Sequence, residues 1–112
     1  EGEKYERANF APKVWGSKPI LSAGKWITYT LNPRDAQAKT PPEGFQLRYA
    51  FAIPQTGKYE FWARIGYEWV RATLEWRVDG GGWKKLGPEV VTTSLMEVAR
   101  WCEVAWAKCG VL

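Results

Sequence analysis

Four aromatic side chains lie where no strand pattern requires their burial. They are Trp15, Tyr67, Trp69 and Trp83, each within three residues of a glycine. An indole or phenol ring can cover the flat C–H face of a pyranose, while nearby polar side chains bond the sugar hydroxyls. The polar candidates for that second role are Glu68, Arg71, Asn32 and Asp35. These residue types predict a sugar-binding surface built from loops.

Two other roles compete with sugar binding for these aromatics. Residues 66–71 also fit a hairpin whose Trp69 folds back onto the core, and exposed aromatic patches also bind protein partners. Four further tryptophans lie inside alternating segments, where packing into a core is the expected role. They are Trp62, Trp76, Trp101 and Trp106. Trp62 fits this role least well because charged residues share its face.

The elements that must position these side chains are predicted to be strands. Residues 45–53, 58–65 and 72–78 alternate apolar and polar side chains, which is the pattern of half-buried strands. Asp79 and the three glycines that follow it predict a tight turn after the third segment. The apolar face of such a sheet needs a second layer to cover it.

The rest of the chain supports the same fold class. Further strands are predicted at 25–31, 89–93 and 101–107, with residues 1–10 as an opening strand. Residues 32–44 contain three prolines and are predicted to be a long loop, and no segment has the pattern of an amphipathic helix. About seven short strands with a turn about every ten residues predict an all-β, antiparallel sandwich or barrel.

Length and composition indicate one globular domain over residues 1–112. Eight tryptophans are several times what one core of this size needs. The net charge is +4, and the 16 basic residues are interspersed with 12 acidic ones, so nucleic acid is not the expected partner. No apolar run approaches the ~20 residues that cross a bilayer, so a membrane partner is not expected either. An oligonucleotide-binding barrel stays open as a third reading, because exposed aromatics in a basic groove also stack on bases.

Catalysis is not expected from this sequence. Glycoside hydrolysis requires two carboxylates held ~5–9 Å apart in a cleft, whereas the acidic residues here are scattered beside Lys or Arg. The chain has no His, which excludes Ser-His-Asp and Cys-His nucleophiles. It has neither a phosphate-binding glycine loop nor a dinucleotide fingerprint.

The two cysteines are expected to be free thiols. If residues 101–109 form one strand, Cys102 and Cys109 lie on opposite faces roughly 20 Å apart, beyond the reach of a disulfide. A turn inside the segment would reverse this expectation. Without His, two cysteines are too few for a zinc site.

Three motifs carry a resemblance to a known family. They are Gly-Lys-Tyr-Glu-Phe-Trp-Ala-Arg at 57–64, Val-Asp-Gly-Gly at 78–81 and Glu-Gly-Glu at 1–3. With these, nearly the whole chain resembles the β-jelly-roll carbohydrate-binding modules of families 6 and 35, which are appended to bacterial glycoside hydrolases. The resemblance implies a jelly-roll sandwich, sugar binding by exposed loop aromatics at one rim, and secretion as part of a larger protein.

The resemblance also implies a structural calcium held by the acidic pair Glu1 and Glu3. Alternate positions on a strand place both carboxylates on one side, which suits a cation that takes several oxygen ligands at ~2.3–2.6 Å. The alternative is a frayed, solvated terminus.

The sequence differs from the family at its C-terminal end. Similar modules continue past a Trp-rich strand, which matches residues 101–110, into one last strand that closes the sheet, whereas this sequence ends at Leu112. We expect that the sequence is a fragment, that a partner supplies the last strand, or that another arrangement replaces it. An unpaired inner strand predicts self-association through its open edge.

The sequence therefore predicts a non-catalytic carbohydrate-binding module that holds a parent glycoside hydrolase near polysaccharide. Its predicted sugar-binding residues are Trp15, Tyr67, Glu68, Trp69, Arg71 and Trp83. The alternative is a structural or protein-interaction β-sandwich of a larger enzyme that does not itself bind sugar.

Overall fold

The computed structural model describes residues 2–16, 19–66, 74–87, 89–99 and 102–112. The chain divides into two compact units, Glu1–Pro54 and Gln55–Leu112. Within these ranges the chain is built mainly of β-strands, and the strands that pair do so antiparallel. No helix among the described residues is long and apolar enough to cross a membrane.

The first unit contains two small antiparallel sheets. The elements are β1 (Arg7–Ala8), β2 (Lys13–Trp15), a 3-10 turn (Ser22–Gly24), β3 (Trp26–Thr28), α1 (Pro33–Lys39) and β4 (Leu47–Arg48). β1 pairs with β4, and β2 pairs with β3. Three aromatic rings meet edge to face, since the centroids of Phe10, Tyr29 and Phe45 lie 4.8 to 5.1 Å apart. Among the described residues of this unit, Leu21 is the buried hydrophobic side chain, while Phe45 of the ring cluster is 39% exposed.

Helix α1 lies where the sequence predicted a long loop, so that prediction is wrong. Asn32 caps the helix, because its Oδ1 accepts a hydrogen bond of 2.9 Å from the backbone N–H of Asp35. Pro33 occupies the first helical position, where a missing N–H costs nothing. Asp35 and Lys39 add an ion pair of 3.2 Å across one turn. These local signals make seven residues helical despite the prolines that surround them.

Two predicted strands of the first unit are much shorter than expected. The alternation over 45–53 predicted one strand, whereas only Leu47 and Arg48 pair, opposite Ala8 and Arg7. Residues 1–10 were also expected to form a strand, yet Gly2 and Glu3 lie in a turn. Alternation creates a strand only where a partner strand accepts its hydrogen bonds, and β1 offers just two residues.

The second unit is a three-stranded sheet with a hairpin. Its strands are β5 (Glu60–Gly66), β6 (Leu74–Trp76), β7 (Lys84–Leu86), β8 (Thr92–Ala99) and β9 (Cys102–Val111). The sheet order is β5-β9-β8, and β6 pairs with β7. The hydrophobic core of this unit joins both parts. It consists of Leu86 and Ala107, with Ile65, Leu74, Val90 and Cys109 packed against them.

β8 and β9 extend further than the sequence predicted. The predicted strand over 89–93 ends before Ser94, whereas β8 begins at Thr92 and runs through Ser94 to Ala99. The register with β9 shifts twice, once between Thr93 and Met96, where Ser94 has a φ of +56°, and once between Glu97 and Ala99. β9 continues through Cys109 as one strand, so Cys102 and Cys109 form no disulfide, as predicted, and both side chains are half-buried.

Candidate functional site

A tight hairpin positions the best-exposed tryptophan that the structure describes. Asp79 and Gly80 have φ values of +48° and +78°, and the N–H of Gly81 donates 2.9 Å to the carbonyl of Val78. This is a type I′ turn, which requires left-handed backbone at both central residues and therefore favours Asp-Gly. The predicted turn is confirmed. It connects β6 to β7 and places Trp83 directly before β7.

The β6–β7 hairpin has one face in the core and one face in solvent. Its register pairs Leu74 with Leu86, Glu75 with Lys85 and Trp76 with Lys84. Arg77 follows Trp76 and Trp83 precedes Lys84, and because neighbouring residues alternate between faces, both lie on the side of Glu75 and Lys85, where Arg77 contacts the Trp83 ring. All four outward side chains of this pair of strands are exposed. We name them the hairpin outer face: Glu75, Arg77, Trp83 and Lys85.

Trp83 is held in place on this face by a cation. Its side chain is 48% exposed, and the guanidinium carbon of Arg77 lies 4.4 Å from the ring centroid. A stacked guanidinium attracts the negative face of an indole and restrains its rotation. Among the described residues, none accepts a hydrogen bond or an ion pair from Arg77. The pair thus combines an accessible apolar ring with the N–H donors of the guanidinium stacked on it.

The opposite face of the hairpin anchors it to the sheet. Trp76 is only 8% exposed, and its ring centroid lies 5.1 Å from that of Phe61. Lys84 covers the outer side of the same ring, with Nζ 4.7 Å from the centroid. Gly110 lies against the indole so closely that a Cβ there would be 2.7 Å from Cζ2. The predicted core role of Trp76 is confirmed.

Two more tryptophans, Trp62 and Trp106, lie on the same face of the three-stranded sheet. The register places Trp62 opposite Lys108 and Arg64 opposite Trp106, so each indole neighbours a cation. Nζ of Lys108 is 5.9 Å from the Trp62 ring, and the guanidinium of Arg64 is 5.7 Å from the Trp106 ring. Both indoles are half-buried instead of sealed in the core. Their charged neighbours at alternate positions were the sequence signal for this outcome.

Glu60 lies on the same face as Trp62 and accepts hydrogen bonds from both Lys108 and Trp62. Lys108 donates a hydrogen bond to Oε1, and the Trp62 indole N–H donates to Oε2 over 3.0 Å. The hydrogen bond from Lys108, then that from Trp62, lower the pKa of the Glu60 carboxyl. The carboxylate therefore stays ionised to lower pH than an isolated glutamate.

Of the six predicted sugar-binding residues, the structure places one side chain. Trp83 is exposed, as the sugar-binding reading requires. Four of the others lie outside the described residues: Tyr67, Glu68, Trp69 and Arg71. The side chain of Trp15 also lies outside them, whereas its backbone, in β2, pairs with that of Trp26 in β3. Trp101 also lies outside them. The stacking of Arg77 on Trp83 was missed, because it follows from the hairpin register, in which Arg77 comes directly after Trp76 and Trp83 directly before Lys84.

The other two polar candidates have a structural role. Asn32 caps α1, and its side-chain N–H also donates 3.0 Å to Oδ2 of Asp35. Asp35 in turn pairs with Lys39. Both side chains are therefore engaged within the helix terminus.

Near the start of the chain, Glu3 has an unusual environment. Its Oε2 is buried and receives no hydrogen bond from the described residues, while the hydroxyl of Tyr49 donates 2.9 Å to the carbonyl of Gly2. Burial, followed by the charge of Glu3 and by Tyr5, raises the pKa of Tyr49. Glu1 lies outside the described residues. Within the part of the chain that is described, no three acidic or cysteine side chains gather at one point.

Comparison with known proteins gives no relative for this chain. No family model, no curated protein and no solved structure matches it. The function of the chain is therefore inferred from the side chains described above.

Proposed function

We propose that this chain is a non-catalytic carbohydrate-binding module that holds a parent glycoside hydrolase on polysaccharide. The observation that carries the proposal is Trp83, an indole half in solvent whose ring is stacked by Arg77. In this proposal one face of the indole rests on the guanidinium and the other receives the C–H face of a pyranose. The N–H groups of Arg77 and the exposed side chains of Glu75 and Lys85 then bond the sugar hydroxyls.

The size of the open indole sets the expected strength of binding. Trp83 is 48% exposed, which for an aromatic side chain of about 250 Å² leaves about 120 Å² for a guest. At roughly 25 cal/mol per Å² this area contributes about 3 kcal/mol. One such subsite supports binding in the millimolar range. Weak binding is sufficient for a tethered module, because its benefit is the raised effective concentration of the linked catalytic domain.

The proposed function also includes a fold and a location. In this proposal the strands are parts of one jelly-roll sandwich, the chain is secreted within a larger protein, and the module performs no catalytic step. Antiparallel pairing throughout the described residues is consistent with that architecture. Trp15, Tyr67, Glu68, Trp69 and Arg71 remain predicted members of the binding surface.

A glycan array followed by titration of the ligands found tests the proposal. Trp83→Ala is expected to weaken binding by about 100-fold, the equivalent of the 3 kcal/mol derived from its open area. Trp62→Phe removes an indole from another face of the same unit and is the matched control, expected to leave the affinity unchanged. The proposal fails if no glycan binds, or if Trp83→Ala binds as tightly as the wild type.

We also propose a structural calcium at Glu1 and Glu3. The buried Oε2 of Glu3 supports it, because a carboxylate oxygen out of water requires a hydrogen-bond donor or a cation. Calcium takes six to eight oxygen ligands, so further oxygens must complete the site. Adding calcium is expected to raise the melting temperature of the wild type, by the linkage between ligand binding and folding, and to leave that of Glu3→Gln unchanged. An identical melting temperature of the wild type in calcium and in chelator would refute this site.

A specific observation favours the alternative function, a protein-interaction domain. Phe51 is 61% exposed and Ile53 is 49% exposed, and exposed apolar side chains that are neighbours in the chain are typical of protein contact sites. The two functions use different residues, because Phe51 and Ile53 belong to the first unit and Trp83 belongs to the second.

A further inference from the structure

The segment that follows β4 is apolar, uncharged and open. Residues 49–53 read Tyr-Ala-Phe-Ala-Ile, and exposure reaches 37% at Tyr49, 61% at Phe51 and 49% at Ile53. Both alanines between them are exposed too. Over the described part of the chain, residues 50–53 make no hydrogen bond to another backbone group. A strand-like sequence with free donors and acceptors is suited to pairing with another strand.

We propose that residues 49–53 pair with the same segment of a second copy of this chain. The two segments run antiparallel about a two-fold axis at Phe51. Tyr49 then faces the partner's Ile53, Ala50 faces the partner's Ala52, and Phe51 faces its own counterpart. Such an interface is isologous, so each contact occurs twice.

The sequence of the segment fits itself in this arrangement. Its pattern of large and small side chains is symmetric about Phe51, so large residues meet large residues on one face and alanines meet alanines on the other. Aromatic side chains opposite aromatic or β-branched ones are favourable cross-strand pairs. A partner of another kind would have to supply this complementarity, whereas a second copy has it already.

No electrostatic repulsion opposes this pairing. The segment has no ionisable group apart from the Tyr49 hydroxyl, which donates to the carbonyl of Gly2. The nearest charge along the chain is Arg48, which is paired with Glu6 over 3.0 Å. In the proposed register Arg48 faces the partner's Pro54, so no like charges lie opposite each other.

The area available predicts a weak, reversible dimer. The exposed fractions of Tyr49, Phe51 and Ile53 correspond to about 300 Å² on each copy, taking 150–250 Å² for a large side chain. Two copies would bury about 600 Å² through these side chains, well under the 1,200–2,000 Å² or so of stable complexes. Association is therefore expected only at high protein concentration.

Sedimentation velocity over a concentration series, from about 10 μM to 1 mM, tests the proposal on the full chain. The sedimentation coefficient of the wild type is expected to rise with concentration. Because Phe51 faces itself across the axis, Phe51→Glu and Phe51→Lys are each expected to abolish the rise, and an equal mixture of the two is expected to restore it. Val91→Glu and Val91→Lys are the matched controls, since Val91 is 64% exposed in the other unit, and both should behave as the wild type.

Three results would overturn the proposal. One is a wild-type sedimentation coefficient that does not change up to 1 mM. Another is association of Phe51→Glu alone at the wild-type level. The third is a mixture of the two charged variants that stays monomeric, since the two-fold register requires opposite charges at this position to attract. Circular dichroism of each variant identifies the folded samples, and the wild-type series decides the matter even where a variant does not fold.

Discussion

Gly110→Ala is expected to destabilise the second unit, because Trp76 occupies the space that a Cβ would need. An added Cβ would lie 2.7 Å from Cζ2 of Trp76 and 3.2 Å from Cη2. Carbon atoms prefer separations of about 3.5–4.0 Å, so the strand or the indole must move by close to 1 Å. Trp76 has little room for this, because it is 8% exposed and packs against Phe61.

The net effect is the difference between two opposing terms. Overpacking a core position costs about 1–3 kcal/mol, whereas replacing glycine by alanine restricts the unfolded chain and gains about 0.4–1 kcal/mol. We therefore expect Gly110→Ala to lower the free energy of unfolding by about 1–2 kcal/mol, and the melting temperature by roughly 4–8 °C for each kcal/mol. Urea denaturation and calorimetry measure both quantities.

A matched control and a rescue make this test specific. Gly82→Ala changes a glycine that has no heavy atom within 4 Å of its added Cβ, and it should leave stability unchanged or raise it by a few tenths of a kcal/mol. In a double-mutant cycle, Trp76→Phe should cost less in the Gly110→Ala background than in the wild type, because a smaller ring vacates the space. The packing argument is refuted if Gly110→Ala is as stable as Gly82→Ala, or if the cycle shows no coupling.

The other predictions concern a carboxylate and a helix cap. Because the pKa of Glu60 is lowered in the folded state, its stabilising effect is complete above the unfolded-state pKa and is lost as pH falls through the folded-state pKa. The stability difference between wild type and Glu60→Gln should therefore shrink below about pH 4.3; a constant difference across that range would contradict the Lys108 contact. Asn32→Ala should cost about 0.5–2 kcal/mol in urea unfolding by removing the cap of α1, while Gln37→Ala, at an exposed position of the same helix, should stay within about 0.5 kcal/mol. Equal stability of these two variants would contradict the cap.

The sequence predicted best the elements whose signals are local. The Asp79–Gly80 turn and the alternating strand β5 were predicted because φ requirements and period-two burial are visible in a few residues. The extended geometry of β9, and with it the separation of Cys102 from Cys109, followed in the same way. The helix α1 was missed although its cap is local, because three prolines between residues 32 and 44 were given more weight than Asn32 and Pro33 together.

What the sequence did not predict depends on partners distant in the chain. The length of β4 is limited by the two residues that β1 offers to it, and no pattern within 45–53 contains that information. The position of Trp62 depends on Lys108, which lies opposite it across the β5–β9 pair and bonds the neighbouring Glu60. For the candidate site, the exposure of Trp83 was foreseen from its place after the glycine turn. The stacking of Arg77 required the hairpin register as well.

Two-dimensional NMR of the indole N–H signals tests the central claim most directly. Each of the eight tryptophans contributes one indole N–H signal, and Trp83→Phe identifies that of Trp83. On titration with a glycan selected on the array, the Trp83 signal is expected to shift in a saturable way, while the signal of the buried Trp76 stays in place. A glycan that binds without moving the Trp83 signal would contradict sugar recognition at the hairpin outer face.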